Sequence, residues 1–451
     1  MCGKRSSDPR SGELPFTPTC PERQRLACST SQTPTTLHQR AMEQFARCHV
    51  RPDGMSSIQT GITAPKTRRV VVALGIGQTL GYASSFYLPA ILAVPMARDL
   101  GLPNWAIFAG LSAALLIAGA LAPMAGRMVD THGGRPLLLT SSVLFAIGLV
   151  LLALATGAWG MAAGWVVIGI AMAFGLYDVA FSTLAVLFGR GARGPITGIT
   201  LIAGFASTIG WPLTAWVADA WGWREACLTW AVLHLVLGLS VYASLPQSRA
   251  SALPKTPDAA GGESPRNAIM LLAFVFAAQG VVNSGIGTHL PGLLMEAGAT
   301  PAVAVAAAAL LGPAQVAARV AEFGLLRRFH PLVSARIATM AHPAAAAALL
   351  FGGPTLAPLF AALHGGGSGL LSISRGALPL ALFGPNGYGR RQGLIALPSN
   401  IATSAAPLIV GLSLDFAGPT AVLLMTTALA IAATLALLAL RAPQSPPSAP
   451  M

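Results

Sequence analysis

Gly126-Arg127-Met128-Val129-Asp130-Thr131-His132-Gly133-Gly134-Arg135-Pro136 is a short polar turn between two apolar runs, 105–125 and 137–157. Each run is long enough to cross a bilayer, because ~20 helical residues at ~1.5 Å rise span ~30 Å of hydrocarbon. The turn places an acid, Asp130, at the end of one span and two glycines at the reversal. Arg135 then precedes a helix-starting proline. A compact charged hinge between two spans points to a membrane bundle.

Composition agrees. Hydrophobic residues make up 54% of the 451-residue chain and charged residues 10%, and the mean hydropathy is +0.65. A soluble domain carries roughly 25% charged residues. The net charge of +13 would suit nucleic acid, but the basic residues sit in short loops rather than in one patch, so no nucleic-acid partner is expected. Cys2, Cys20, Cys28 and Cys48 lie in the polar N-terminal stretch and Cys227 in a span. They form no metal-ligand pattern with histidines and read as inert thiols, so neither metal nor cofactor is expected. Gly365-Gly366-Gly367 lacks the Lys-Ser/Thr of a phosphate loop and reads as a helix-packing site. An integral-membrane enzyme would need acid, His or Ser groups clustered at one depth, and the chain shows none.

Residues 1–66 are rich in Ser, Thr, Pro and Arg without an apolar face, and read as a disordered tail with no signal peptide. Met42 and Met55 are alternative starts within it. Apolar runs follow near 70–95, 105–126, 136–157, 160–188, 196–219 and 224–245. After a polar linker they resume near 268–294, 302–324, 332–351, 355–384, 392–416 and 419–440. The expected organisation is an N-terminal six-helix half (67–245), a linker (246–267), a C-terminal half (268–441) and a tail (442–451). Loop charges orient it. Lys66, Arg68, Arg69, Arg127, Arg135, Arg190, Arg193, Arg249, Lys255, Arg266, Arg327, Arg328, Arg336, Arg390, Arg391 and Arg441 share one side with both tails, against Arg98 and Arg224 on the other. Both termini are therefore expected in the cytoplasm of a cell whose inner membrane holds the protein.

The second half repeats the first. Tyr87-Leu88-Pro89 recurs as His289-Leu290-Pro291, offset by 202, and Ala125 to Asp130 recurs as Ala317 to Glu322, offset by 192. Leu187-Phe188-Gly189 matches Leu382-Phe383-Gly384 at 195. At the same offset, Gly198, Thr208 and Pro212 match Gly393, Thr403 and Pro407.

The opening turn resembles the signature loop between helices 2 and 3 of the major facilitator superfamily. That loop runs Gly, hydrophobic, small, Asp, basic, then Gly and two basics. Gly126, Asp130, Gly133 and Arg135 match, Met128 and Val129 are loose substitutes, and Thr131 and Gly134 stand where basic residues belong. The resemblance covers about 68–441. It implies an all-α integral membrane protein with twelve transmembrane helices in two parallel-repeat six-helix halves. It also implies a secondary transporter that works as a monomer, with one central site reached alternately from each side. In that family the loop's Asp approaches the start of span 11. Here that pairs Asp130 with 389–393, flanked by Arg135, as a gate. Glu322, beside Arg319, should make a weaker version with the start of span 5.

Asp178, ten residues from the end of span 4, lies roughly 15 Å deep, and Arg375 in span 10 lies at similar depth. A charge there costs about 2.5–3.5 kcal/mol, so each must face a partner or a cavity. They could form an ion pair locking the halves. Alternatively, Arg375 could hold an anionic substrate group while Asp178 carries a coupling proton. Spans 1, 4, 7 and 10 border the path in the resembled family. This favours Gln78, Tyr82, Tyr87, Gln279, Asn283, His289 and His364, although each can equally bond helix to helix. Asn400 could also line the cavity, while His234 reads as structural. Span 4 carries Trp165 and Asp178 rather than the Arg usual in proton-driven drug exporters, and Gly210-Trp211-Pro212 only partly echoes their span-5 motif.

Three readings follow: a transporter of a small solute such as a monocarboxylate, by proton coupling or exchange; a drug or metalloid exporter; and a transporter-like receptor or scaffold. The partners expected are a small-molecule substrate, protons and the lipid bilayer. Deleting residues 1–60 should leave insertion and transport intact, and loss of membrane-inserted protein in that truncation would contradict this reading.

Overall fold

A computed structural model describes residues 64–247 and 265–440, and all its regular structure is helical. The tails and most of the linker expected from the sequence lie outside these residues. Nine helical stretches among them are long and apolar enough to cross a membrane. Two of the nine, Ala158–Trp221 with 64 residues and Tyr388–Ala439 with 52, would run about 96 and 78 Å as straight rods, too long for one crossing. Nine is the count that length and composition support, and twelve remains an expectation.

The helices are α1 (Ala64–Ala83), α2 (Pro89–Leu100), α3 (Asn104–His132), α4 (Gly134–Ala153), α5 (Ala158–Gly175), α6 (Tyr177–Phe188), α7 (Arg193–Ala203), α8 (Ala206–Trp221) and α9 (Trp223–Leu233). A π turn at His234–Gly238 leads into α10 (Leu239–Ala243). Then come α11 (Pro265–Glu296), α12 (Pro301–Ala309), α13 (Leu311–Gly324), α14 (Pro331–Gly352), α15 (Ala357–Phe383) and α16 (Tyr388–Ala439). Several expected spans are thus broken. The first parts at 84–88, where the Ser84 and Ser85 hydroxyls bond back to the Leu80 and Gly81 carbonyls and Pro89 restarts the chain. The fourth parts at Leu176, which is extended (φ −89°, ψ −171°). The fifth parts after Ala203, and the eighth at Leu310, three residues before Pro313. Gly418, at φ +77°, kinks the last helix before Pro419. Inside hydrocarbon such breaks persist only where other groups take up the freed backbone. Pro407 shows how, because its ring leaves the Thr403 carbonyl without an N–H donor, and Ser284 Oγ donates to that carbonyl at 3.1 Å.

Apolar side chains gather in four buried clusters. Two are built before residue 246, apart from Leu380 and Tyr388, and two after residue 271. The main contacts between the two parts of the chain run from α3 to α16. Within the first part, α4 and α5 touch through glycines. A Cβ on Gly148 would lie 2.6 Å from Ile168 Cγ1 and 3.1 Å from the Gly164 carbonyl oxygen. Gly148→Val should therefore lower stability by about 1–3 kcal/mol through overpacking. Gly312→Ala, in open space within α13, should leave the melt unchanged or raise it slightly. Thermal melts of the two purified variants check the contrast.

Candidate functional site

The signature turn folds as a helix end. Gly133, at φ +80°, caps α3, and Gly134 opens α4. Nearly two turns before the end of α3, Gly126 meets Gly389 so closely that a Cβ on either glycine would overlap the other's backbone. This approach lets the Asp130 carboxylate accept from the backbone N–H of Gly389 at 2.9 Å and of Arg390 at 2.8 Å. Both N–H groups belong to the first turn of α16, where they lack partners within the helix and the macrodipole favours an anion. An acid from the first half thus caps a helix of the second. Arg135, expected beside Asp130, makes no ion pair with it, and its Nε is buried without a partner.

Glu322 departs from its expected geometry. Its carboxylate takes Arg193 Nη2 at 2.8 Å and Ser334 Oγ at 2.6 Å, so a side chain at the start of α7 meets it rather than that helix's backbone. Arg193 also donates to the Phe329 and Leu326 carbonyls. The expected Arg319–Glu322 neighbourhood is not an ion pair. Arg319 turns away to Ser372 Oγ at 3.1 Å and Gln315 Oε1 at 3.4 Å. Beside this clamp, burial and the Arg193 and Arg336 guanidiniums push the His330 imidazole below its ordinary range. The unfolded chain therefore binds this proton first, and stability from this residue is lost as pH falls below about 6.5.

Deeper between the halves lies a cavity of about 110 Å³, lined by Tyr82, Tyr177, Asp178, Arg375, Asn400 and Thr403 among others. Asp178 stands in the first turn of α6 because span 4 breaks at Leu176. Its Oδ2 lies 3.2 Å from Arg375 Nη2, and its Oδ1 accepts from Gln392 Nε2 at 3.0 Å. The same Arg375 nitrogen donates to Asn400 Oδ1 at 2.9 Å, while its buried Nε has no partner. Both charged side chains are about a fifth exposed (21% and 24%), and the cavity they line is where that exposure arises. The ring of Tyr82 packs on that of Tyr177, with centroids 4.8 Å apart.

Other expected residues lie elsewhere. Gln78 donates to the Gly175 carbonyl at 2.6 Å. Tyr87 packs edge-on against Trp211. His289 bonds the Pro407 carbonyl at 2.8 Å. His364 meets His342, with 3.0 Å between their Nδ1 atoms. Gln279 is buried with its Nε2 unpartnered, and Asn283 is half-buried. None of these six lines the cavity. His234 bonds Ser84 and stacks on Phe145. Tyr177 and Gln392 were missed. Tyr177 adjoins Asp178 in sequence, while Gln392 stands at an expected span end, where depth gave no signal.

The family model described as Major Facilitator Superfamily matches residues 74–363, and the chain belongs to that family. It is a multi-pass membrane transport protein. Among solved structures it is similar to the human organic anion transporter MFSD10 (TETRAN), at 18% identity and TM-score 0.67, covering 83% of this chain and 100% of that one. It is also similar to the proton:xylose symporter XylE bound to 6-bromo-6-deoxy-D-glucose, at 13% identity and TM-score 0.65, covering 82% and 94%. In sequence it is 26% identical over 374 residues to the "Uncharacterized 38 kDa protein in 23S RNA operon" of Thermoproteus tenax, covering 79% of this chain and 91% of that one. These likenesses carry the fold.

Asp130→Asn removes the charge and one acceptor from the cap on α16. A charge at a helix terminus contributes about 0.3–1 kcal/mol, up to ~2 when partly buried. The variant should fold normally, exchange the Gly389 and Arg390 amide hydrogens faster, and transport more slowly. Unchanged amide exchange would remove Asp130 from the gate.

Proposed function

We propose that this protein is a secondary transporter of a small organic anion, with Arg375 binding the anionic group and Asp178 carrying a coupling proton. The observation that carries the reading is the Asp178–Arg375 pair, which lines the central cavity and joins the two halves. Asp178 comes from the first half, and Arg375, Gln392 and Asn400 come from the second. Protonating Asp178 removes its charge from Arg375 and weakens its acceptance from Gln392. The guanidinium, with a buried Nε still unpartnered, is then free to take a carboxylate. One proton thereby both exposes the anion site and loosens a contact between halves that must rock for alternating access. MFSD10 is described as an organic anion transporter, which suits the anion site, and XylE as a proton:xylose symporter, which suits the coupling proton alone.

The remaining reading places the protein in the inner membrane with both termini cytoplasmic. It divides the chain into six-helix halves (67–245 and 268–441) joined by a linker at 246–267, in a working monomer. With the arginine-bearing loops inside, the contacts at Asp130 and Glu322 close the cytoplasmic side.

Four variants separate this function from a purely structural pair. If the pair only holds the halves, removing either member leaves a buried charge and costs about 3–5 kcal/mol. The double variant Asp178→Asn/Arg375→Ala should then recover both stability and transport. The proposed function predicts instead that Arg375→Ala abolishes anion binding with a smaller loss of stability, and that the double variant stays inactive. Lysine at 375 should rescue poorly, because it lacks the planar fork. Asp178→Asn should lose gradient-driven uptake and keep exchange. Thermal melts and proteoliposome exchange read all of these, and a fully active double variant overturns the substrate role.

A further inference from the structure

Arg319 is the buried charge that the proposed site leaves unused. Only 7% of its surface is exposed, yet it belongs to none of the three ion pairs among the described residues. Its hydrogen bonds go to the neutral Ser372 hydroxyl and, at a long 3.4 Å, to the neutral Gln315 amide. The acid one turn along its own helix, Glu322, is already taken by Arg193 and Ser334. A structural arginine in an apolar body is ordinarily matched by an acid, because an uncompensated charge there is costly.

The position of Arg319 explains what could match it. Ser372, which holds its Nε, lies one turn before Arg375 on the same helix, and positions three apart are neighbours on a helix surface. Gly365 and Gly369 of α15 approach the backbone of α13 at Leu311 and Gln315, which brings Arg319 up to that face. Across the gap, Nη1 of Arg319 sits where a side chain at Gly204 would stand. The two guanidiniums are thus linked along one face of α15, where Ser372 holds Arg319 and, one turn on, Arg375 lines the cavity. With Asp178 carrying its proton, as the proposed function holds, they present two positive charges that a single carboxylate leaves half-balanced.

We propose that Arg319 is the second anion-binding group of the central site and that the transported solute carries two anionic groups, one on Arg375 and one on Arg319. The substrate class is then a short dicarboxylate rather than a monocarboxylate. This inference rests on the organic-anion reading, and its test separates the two.

Succinate and its monomethyl ester have nearly the same length and differ by one charge. Both are offered as competitors and as counterflow substrates to the full-length protein in proteoliposomes. Wild-type protein should prefer succinate at least tenfold. Arg319→Gln should weaken succinate to the level of the ester and leave the ester unchanged, whereas Arg375→Gln should weaken both. An arginine that only packs helices would change expression or melting but not the ratio. Equal recognition of succinate and ester by wild-type protein overturns the inference whether or not the variant folds, and leaves the organic-anion reading standing. So does a folded Arg319→Gln protein with the wild-type ratio. Recognition of neither compound, nor of longer or shorter mono- and dicarboxylates, overturns both.

Discussion

Every acid of the described helical body that is not solvent-exposed is met by donors from the opposite half of the chain. Asp130 is capped by the amides that open α16, Asp178 by Arg375 and Gln392, and Glu322 by Arg193 with help from Ser334 in its own half. The other carboxylates of the described residues, at Asp99, Asp219, Glu225, Glu296 and Asp415, are exposed or paired within their own half. An ionised carboxylate cannot stay in an apolar slab without donors. Three carboxylates therefore tie the halves together, beside the close packing of α3 on α16. The halves cannot part without giving each acid something else.

The two outer acids stand in a crossed relation. Asp130 ends the second expected span and reaches the start of the eleventh, while Glu322 ends the eighth and reaches the start of the fifth. That is the pairing a two-fold axis along the membrane normal produces, and the Ala125–Asp130 and Ala317–Glu322 repeat shows the same relation in the sequence. The partners differ for a steric reason. Gly389 and Gly393 let α16 close on α3, where a Cβ on Gly393 would lie 2.6 Å from Pro123 Cα, so the carboxylate touches backbone. At the start of α7 the Arg193 side chain reaches across to Glu322 instead.

What could be read from the sequence follows from this chemistry. The signature turn, the apolar runs, the pair Asp178 and Arg375 and the neighbourhood of Asp130 rest on charge and depth, which a one-dimensional pattern carries. Helix breaks are less visible. The sequence shows Pro89 and Pro313, yet nothing local marks Leu176 as extended, because that break depends on the packing around α5 and α6. Ring and amide residues were also ambiguous. Gln78, His289 and His364 have the polarity of cavity groups, but a carbonyl or imidazole on a neighbouring helix claims each of them. Arg319 misled most. Its spacing to Glu322 suits an ion pair, but the helix packing through Gly365 and Gly369 draws it to Ser372, and no sequence pattern encodes that choice.

The depth of each acid decides how its contact can be released. Asp130 and Glu322 lie near helix ends, so when that side opens, water replaces the protein donors as they leave. The net cost is then the difference between two hydrated arrangements, about 1 kcal/mol or a little more for a helix-terminus contact, which thermal motion supplies. Asp178 lies roughly 15 Å in, beside a small cavity. There water cannot fully replace Arg375, and an uncompensated charge would cost several kcal/mol. Only a proton on the carboxylate, together with an anion on the guanidinium, leaves neither charge exposed to hydrocarbon. Under the proposed function the outer acids serve as latches and the inner one as the condition for their release. On that reading the carrier crosses empty only when its central pair stays closed, and crosses loaded only when both proton and anion are present.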